Sequence, residues 1–156
     1  MTESVTHATF VLERTYDADV ERVFAAWATQ KAKVRWFVGP DDWERSDHEL
    51  DFRIGGKEHV SGGAAGGPVY AFDAVYQDIV FNERIVTTYQ MHMDADLISV
   101  SVATVELEPA GTSTKLTYTE QGAFLDELDT AAAREEGTAQ LLDNLGRELA
   151  RTDATT

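Results

Sequence analysis

The chain reads as an α+β domain: a curved antiparallel sheet wrapped around a long C-terminal helix, with two short helices after the first strand. Three observations predict it. A two-helix unit spans Val20 to Phe37, a run of period-two segments follows it, and one long amphipathic helix over about 128–150 closes the chain. Apolar residues that recur every second position belong to half-buried strands, and those recurring at three and four belong to helices. A sheet and helix in that order can enclose a cavity.

The elements follow in order. Residues 8–16 form the first strand, with Phe10, Leu12, Arg14 and Tyr16 on one face. Asp17 is the expected N-cap of the next element. Val20, Val23, Phe24 and Trp27 then mark a helix with one apolar stripe. A second helix over 30–37 carries Val34, Trp36 and Phe37 and stops at Gly39-Pro40. Leu50, Phe52 and Ile54 alternate, and Gly55-Gly56 turns them into a hairpin with Lys57 to Ser61. Gly62 to Pro68 reads as a hairpin loop, because a phosphate cradle would need a helix after it. Strands follow over 68–78, 83–93, 97–108 and 113–121. In the final helix Leu142, Leu145 and Leu149 keep the helical period, while Gly137 and Gly146 each cost about 1 kcal/mol of helix propensity. Those glycines admit either a close strand or a ligand.

Bulk properties bound the function. A length of 156 residues predicts one domain over 1–156, with an ordered core of about 8–150. The net charge of −15, from 13 basic and 28 acidic residues, repels phosphate backbones. Nucleic acid and anionic membranes are therefore not expected partners. No membrane span and no secretory leader is seen, and there is no cysteine, so the expected location is cytoplasmic.

Parity of the strands nominates a concave face. Thr87, Tyr89 and Met91 share one face of strand 83–93. In strand 97–108 the set Ser99, Ser101, Ala103, Val105 and Leu107 is expected inward, and Ile98, Val100 and Val102 outward. Leu116, Tyr118 and Glu120 share a face of the last strand. Ser101 and Ala103 are small enough to leave space, and the tyrosines and hydroxyls supply polar handles, the usual make-up of a ligand site. Phe52 and Leu142 complete the expected ligand-binding set, with Trp36 and Phe37 at one cavity mouth beside Trp43. The aromatic trio reads first as a hydrophobic plug and second as a lid.

Charge and chemistry are weighed against bland alternatives. Glu120 would be a candidate acid or base if buried; the commoner situation for such a carboxylate is solvent exposure. Asp51 and Arg53 read as a strand-face ion pair. His92, Asp94 and Asp96 are ligating residue types, but they sit in an expected hairpin turn, and His7, His48 and His59 add no metal spacing. No metal or cofactor is expected: there is no nucleophile elbow, dinucleotide fingerprint or P-loop.

A resemblance adds to this. Val20-x-x-Val23-Phe24-x-x-Trp27, Trp36-Phe37 and Asp51-Phe52-Arg53-Ile54-Gly55-Gly56 resemble the START-related helix-grip superfamily (SRPBCC). Tyr76 to Val80, Glu83 to Val86, Val105 to Pro109 and Leu141-Leu142-Asp143-x-Leu145 narrow the likeness to the C-terminal domain of the heat-shock protein 90 ATPase activator. The chain departs at Phe81 and Ala18, where that branch often has proline. The resemblance implies a Bet v 1/START-like helix-grip fold with a cavity between sheet and helix. It also implies a range of activities: binding hydrophobic molecules, cyclising polyketides or assisting chaperones. The first expectation is non-catalytic binding of a small hydrophobic molecule. A polyketide cyclase or aromatase-like enzyme and a chaperone regulator are the alternatives. The apolar outer face of Val86, Thr88, Val100 and Val102 adds an expected homodimer surface.

Overall fold

Eight antiparallel strands curl around a single long helix. The computed structural model describes residues 3–154, with side chains described through Arg151. In chain order the elements are β1 (Val5–Tyr16), α1 (Val20–Ala28), α2 (Gln30–Trp36), β2 (Trp43–Arg45), β3 (Glu49–Leu50), β4 (Lys57–Ala64), β5 (Tyr70–Val80), β6 (Arg84–Met93), β7 (Asp96–Ala110), β8 (Ser113–Leu125) and α3 (Ala131–Ala154). The sheet order is β1-β8-β7-β6-β5-β4-β2, with β3 also on β4. This is the helix-grip fold.

Local chemistry sets the boundaries. Asp19, not Asp17, caps α1: its side chain accepts from the Arg22 N–H at 2.9 Å. The final helix begins at Ala131 rather than near 128. Asp126 and Glu127 are left-handed (φ 55° and 56°), and the Thr130 hydroxyl accepts from the Ala133 N–H at 3.1 Å as a cap. The expected strand over Leu50 to Ile54 shrinks to two residues: Phe52 packs on the core, and Ile54 is 60% exposed in a turn. Strand β4 continues through the glycines to Ala64. A Cβ on Gly63 would meet the Pro68 carbonyl oxygen at 2.2 Å, so only glycine allows that close pass.

The core joins the inner sheet face to α1, α2 and the Leu142, Leu145 and Leu149 stripe of α3. Ser99, Ser101, Ala103, Val105 and Leu107 face inward. Ile98 departs from its expected outward position: a register shift opposite Met91/His92 inserts it as an extra residue, and it is 1% exposed. Helix α3 is held by the Tyr16 hydroxyl donating to the Leu142 carbonyl at 2.7 Å and by an Arg35–Glu148 ion pair at 2.7 Å. The two α3 glycines then separate. A Cβ on Gly146 would lie 3.3 Å from the Tyr16 ring, whereas one on Gly137 would meet nothing within 4 Å.

Candidate functional site

A cleft of about 970 Å³ lies between the inner sheet face, α2 with its following loop, and α3. Sheet curvature opens it and small side chains keep it open. Thr87 and Ala103, directly opposite each other on β6 and β7, both line it, and Gly137 lines it from the helix side. Of the twelve residues the sequence nominates, nine lie on its wall. Trp36, Phe37 and Phe52 stand on the α2 and turn side, Thr87, Tyr89, Met91, Ala103 and Tyr118 on the sheet, and Leu142 on the helix.

Three do not reach it. Ser101 is 1% exposed and sits opposite Gly122 on β8, where a Cβ would come within 3.0 Å of its Oγ. Leu116 is in the core. Glu120 is fully buried, against the expectation of solvent exposure, and does not line the cleft. The reason is a ring of partners. Its Oε2 accepts from the Tyr89 hydroxyl at 2.6 Å, its Oε1 accepts from the Tyr118 hydroxyl at 2.8 Å, and Arg134 lies 3.3 Å away. Arg134 also donates to the Tyr89 hydroxyl at 2.9 Å, to Ser99 Oγ at 2.8 Å and to Asp129 at 2.7 Å. Burial works against the guanidinium charge, but Tyr89, Glu120 and Asp129 hold it firmly protonated. Burial pushes both tyrosine hydroxyls well up, so they remain donors.

A second buried carboxylate, Glu58, sits on the wall itself. Lys33 Nζ donates to its Oε1 at 2.8 Å, the Tyr76 hydroxyl donates to the same oxygen at 2.6 Å, and His48 Nε2 lies 2.6 Å from Oε2. Burial raises its pKa, but the Lys33 charge and the hydrogen bonds from His48, Lys33 and Tyr76 outweigh that and hold it at about 2. Burial and the neighbouring Glu58 charge push the Tyr76 hydroxyl well up. Lys33 Nζ also lies over the Phe37 ring at 4.6 Å.

Sequence reasoning passes over Trp27 as a wall residue, and over Lys33, Glu58, Phe72, Tyr76 and Arg134. Lys33 had a signal, since it precedes Trp36 by three on a helix and so shares its face. Phe72 and Tyr76 share parity on β5 and were readable too. Arg134 had none, because a charged residue on an amphipathic helix ordinarily faces water.

The remaining candidates resolve into turns and plugs. Asp51 and Arg53 form an exposed ion pair at 2.8 Å in the turn before β4, not on a strand face. Asp94 sits in a turn at φ 53°, where its carboxylate accepts from the Val69 N–H at 2.9 Å. Among the described residues no three histidine or carboxylate side chains gather to hold a metal ion. Trp36 is 1% exposed and tied to the Ala26 carbonyl at 2.9 Å, which fits a fixed wall better than a moving lid. Trp43 stacks on Tyr70 at an interplanar angle of 4°.

The chain matches the family model described as Activator of Hsp90 ATPase homolog 1-like protein over residues 17–150. Among solved structures it is similar to a protein from Rhizobium loti at 47% identity, with 94% of this chain and 99% of that one covered and a TM-score of 0.87. An uncharacterised protein from Rhizobium leguminosarum is 42% identical, with 97% and 99% covered and a TM-score of 0.91. One from Chromobacterium violaceum is 28% identical, with 90% and 96% covered and a TM-score of 0.76. None of the curated proteins matches the chain. Nearly the whole ordered domain therefore carries the family pattern, and the chain belongs to the Activator of Hsp90 ATPase homolog 1-like family.

Proposed function

We propose that this protein binds a small, mostly apolar molecule in the cleft beneath α3, without turning it over. The observation that carries the reading is a cleft of about 970 Å³ whose wall includes small residues, Thr87 and Ala103 on the sheet and Gly137 on the helix. Larger residues would have filled it. Apolar burial at roughly 25 cal/mol per Å² would supply affinity, and a few hydrogen bonds would orient the ligand.

The enzyme alternative is less well supported. Glu120 lies off the cleft wall, and Glu58, held at about 2, is a poor proton donor or acceptor near neutrality. A chaperone-regulating role rests on the family likeness alone. Self-association has one supporting feature: Val100 and Val102 remain 41% and 36% exposed on the outer face.

Titration with an environment-sensitive naphthalene dye tests the binding reading. Saturable binding is expected. Thr87→Phe should weaken it ~10-fold or more, equivalent to ~1.4 kcal/mol, with folding intact by circular dichroism. A folded Thr87→Phe protein with undiminished affinity would place the dye elsewhere and sink the reading.

A further inference from the structure

The cleft wall is charged in the opposite sense to the chain. Among the described residues six basic side chains line it against four acidic ones, although the chain holds 13 basic and 28 acidic residues. Two of the six, Lys33 and Arg134, are buried and matched by Glu58 and Glu120. Three others gather where α2 meets α3. Arg35 Nε donates to Glu148 Oε2 at 2.7 Å, and Arg151 Nη2 donates to Glu148 Oε1 at 2.8 Å and to Oε2 at 3.1 Å. One carboxylate therefore draws both guanidinium groups to the same place. Arg147 lies one helical turn before Arg151, so the two stand on one face of α3. Arg147 also donates to Asn144 Oδ1, and the Asn144 amide donates to the carbonyl of Trp36, the residue after Arg35, at 3.3 Å. Arg35, Asn144, Arg147, Glu148 and Arg151 all line the cleft.

These charges do not balance. A clamp between α2 and α3 needs one guanidinium on Glu148, and Arg35 supplies it. Arg147 and Arg151 bring two more positive charges, and among the described residues no carboxylate other than Glu148 pairs with any of the three arginines. The Arg35 side chain is 36% exposed and that of Arg151 is 54% exposed, so both remain open to an incoming group. Each guanidinium has five N–H donors, more than these bonds use.

We propose that Arg35, Arg147 and Arg151 hold the carboxylate of an amphipathic organic acid whose apolar body lies in the cleft. The proposal rests on the cleft-binding reading above and deepens it by naming the ligand's polar group. Planar guanidinium groups match a carboxylate in two-point geometry. The field of a chain at −15 opposes every anion and a phosphate dianion more than a carboxylate, so the local excess favours the single charge. Phe37, Phe72, Leu141 and Leu142 on the same wall suit the apolar body.

The test titrates the protein with dansyl-undecanoic acid and with its methyl ester, followed by fluorescence. The ester is the more hydrophobic, so without an anchor it binds at least as tightly. With the anchor, the acid should bind about 10-fold tighter at low salt, and the preference should shrink at high salt. Arg147→Gln combined with Arg151→Gln keeps the Arg35–Glu148 pair and should bring the acid down to the ester. Glu148→Gln removes the competing carboxylate and should enlarge the preference. Thr87→Phe, inside the cleft, should weaken acid and ester alike. Equal affinities for the two probes in the native protein overturn the anchor and leave the cleft reading standing. Failure of both probes to bind overturns the two together. A preference that survives the double arginine variant removes the assignment to these residues. An acid that binds undiminished in Thr87→Phe is held on the arginines outside the cleft, which also overturns the proposal. Tighter binding of the matching dansyl-undecyl phosphate would overturn the choice of a carboxylate.

Discussion

Two of the buried glutamates, Glu58 and Glu120, sit in contrasting networks. Glu120 is enclosed by Tyr89, Tyr118 and Arg134, and Arg134 is in turn shared with Ser99 and Asp129. Glu58 has Lys33, Tyr76 and His48 and itself lines the cleft, whereas the Glu120 network reaches the cleft only through Tyr89, Tyr118, Asp129 and Arg134. The first network is closed and pins the start of α3 to β6, β7 and β8. In the second the carboxylate itself lines the cleft. Buried charge therefore ties a helix to the sheet in one place and sets a neutralised carboxylate on the cleft wall in the other. Burial alone does not distinguish the two; their position relative to the cleft does.

The largest expected effect comes from breaking the closed network. Arg134→Met strands a fully buried Glu120 carboxylate, and chemical denaturation should show a loss of about 3–5 kcal/mol. An Arg134→Met protein within about 0.5 kcal/mol of the native stability would show that the network does not hold the fold.

Acid should act on the Glu58 cluster. The Glu58 pKa is lowered from 4.5 to about 2, so its contribution is fully present above pH 4.5 and is lost as pH falls through 2. The shift corresponds to roughly 3 kcal/mol. Denaturant midpoints measured from pH 5 down to pH 2 should therefore fall more steeply in the native protein than in Lys33→Met/Glu58→Gln. Parallel profiles would remove Glu58 from the acid response.

The smallest effect contrasts the α3 glycines. Gly137→Ala meets open space and should raise stability by about 1 kcal/mol through helix propensity. Gly146→Ala meets the Tyr16 ring at 3.3 Å and should gain less or lose. Equal thermal shifts would erase the distinction between a glycine that borders the cleft and one that seats the helix on β1.

Periodicity alone carries far in this chain. The strand parity that nominates Thr87, Tyr89, Met91, Ala103 and Tyr118 is a property of alternation, and each lies on the cleft wall. It fails at Ile98, where a one-residue bulge in β7 breaks the alternation without any local mark. It fails again at Asp19 and at the start of α3, where capping and left-handed residues, not apolar spacing, end the elements.

What the sequence by itself determined is the order of elements, the inward faces of β6, β7 and β8, and the presence of small residues among large ones. Those follow from local periods of two and 3.6 residues. Only the tertiary structure decided the fate of the charges. Lys33 and Glu58 are 25 residues apart and Glu120 and Arg134 are 14 apart, and charged residues of these types ordinarily seek water. A charge is stable in the interior only when a partner from another element arrives within hydrogen-bond distance, and no pattern along one element announces that arrival.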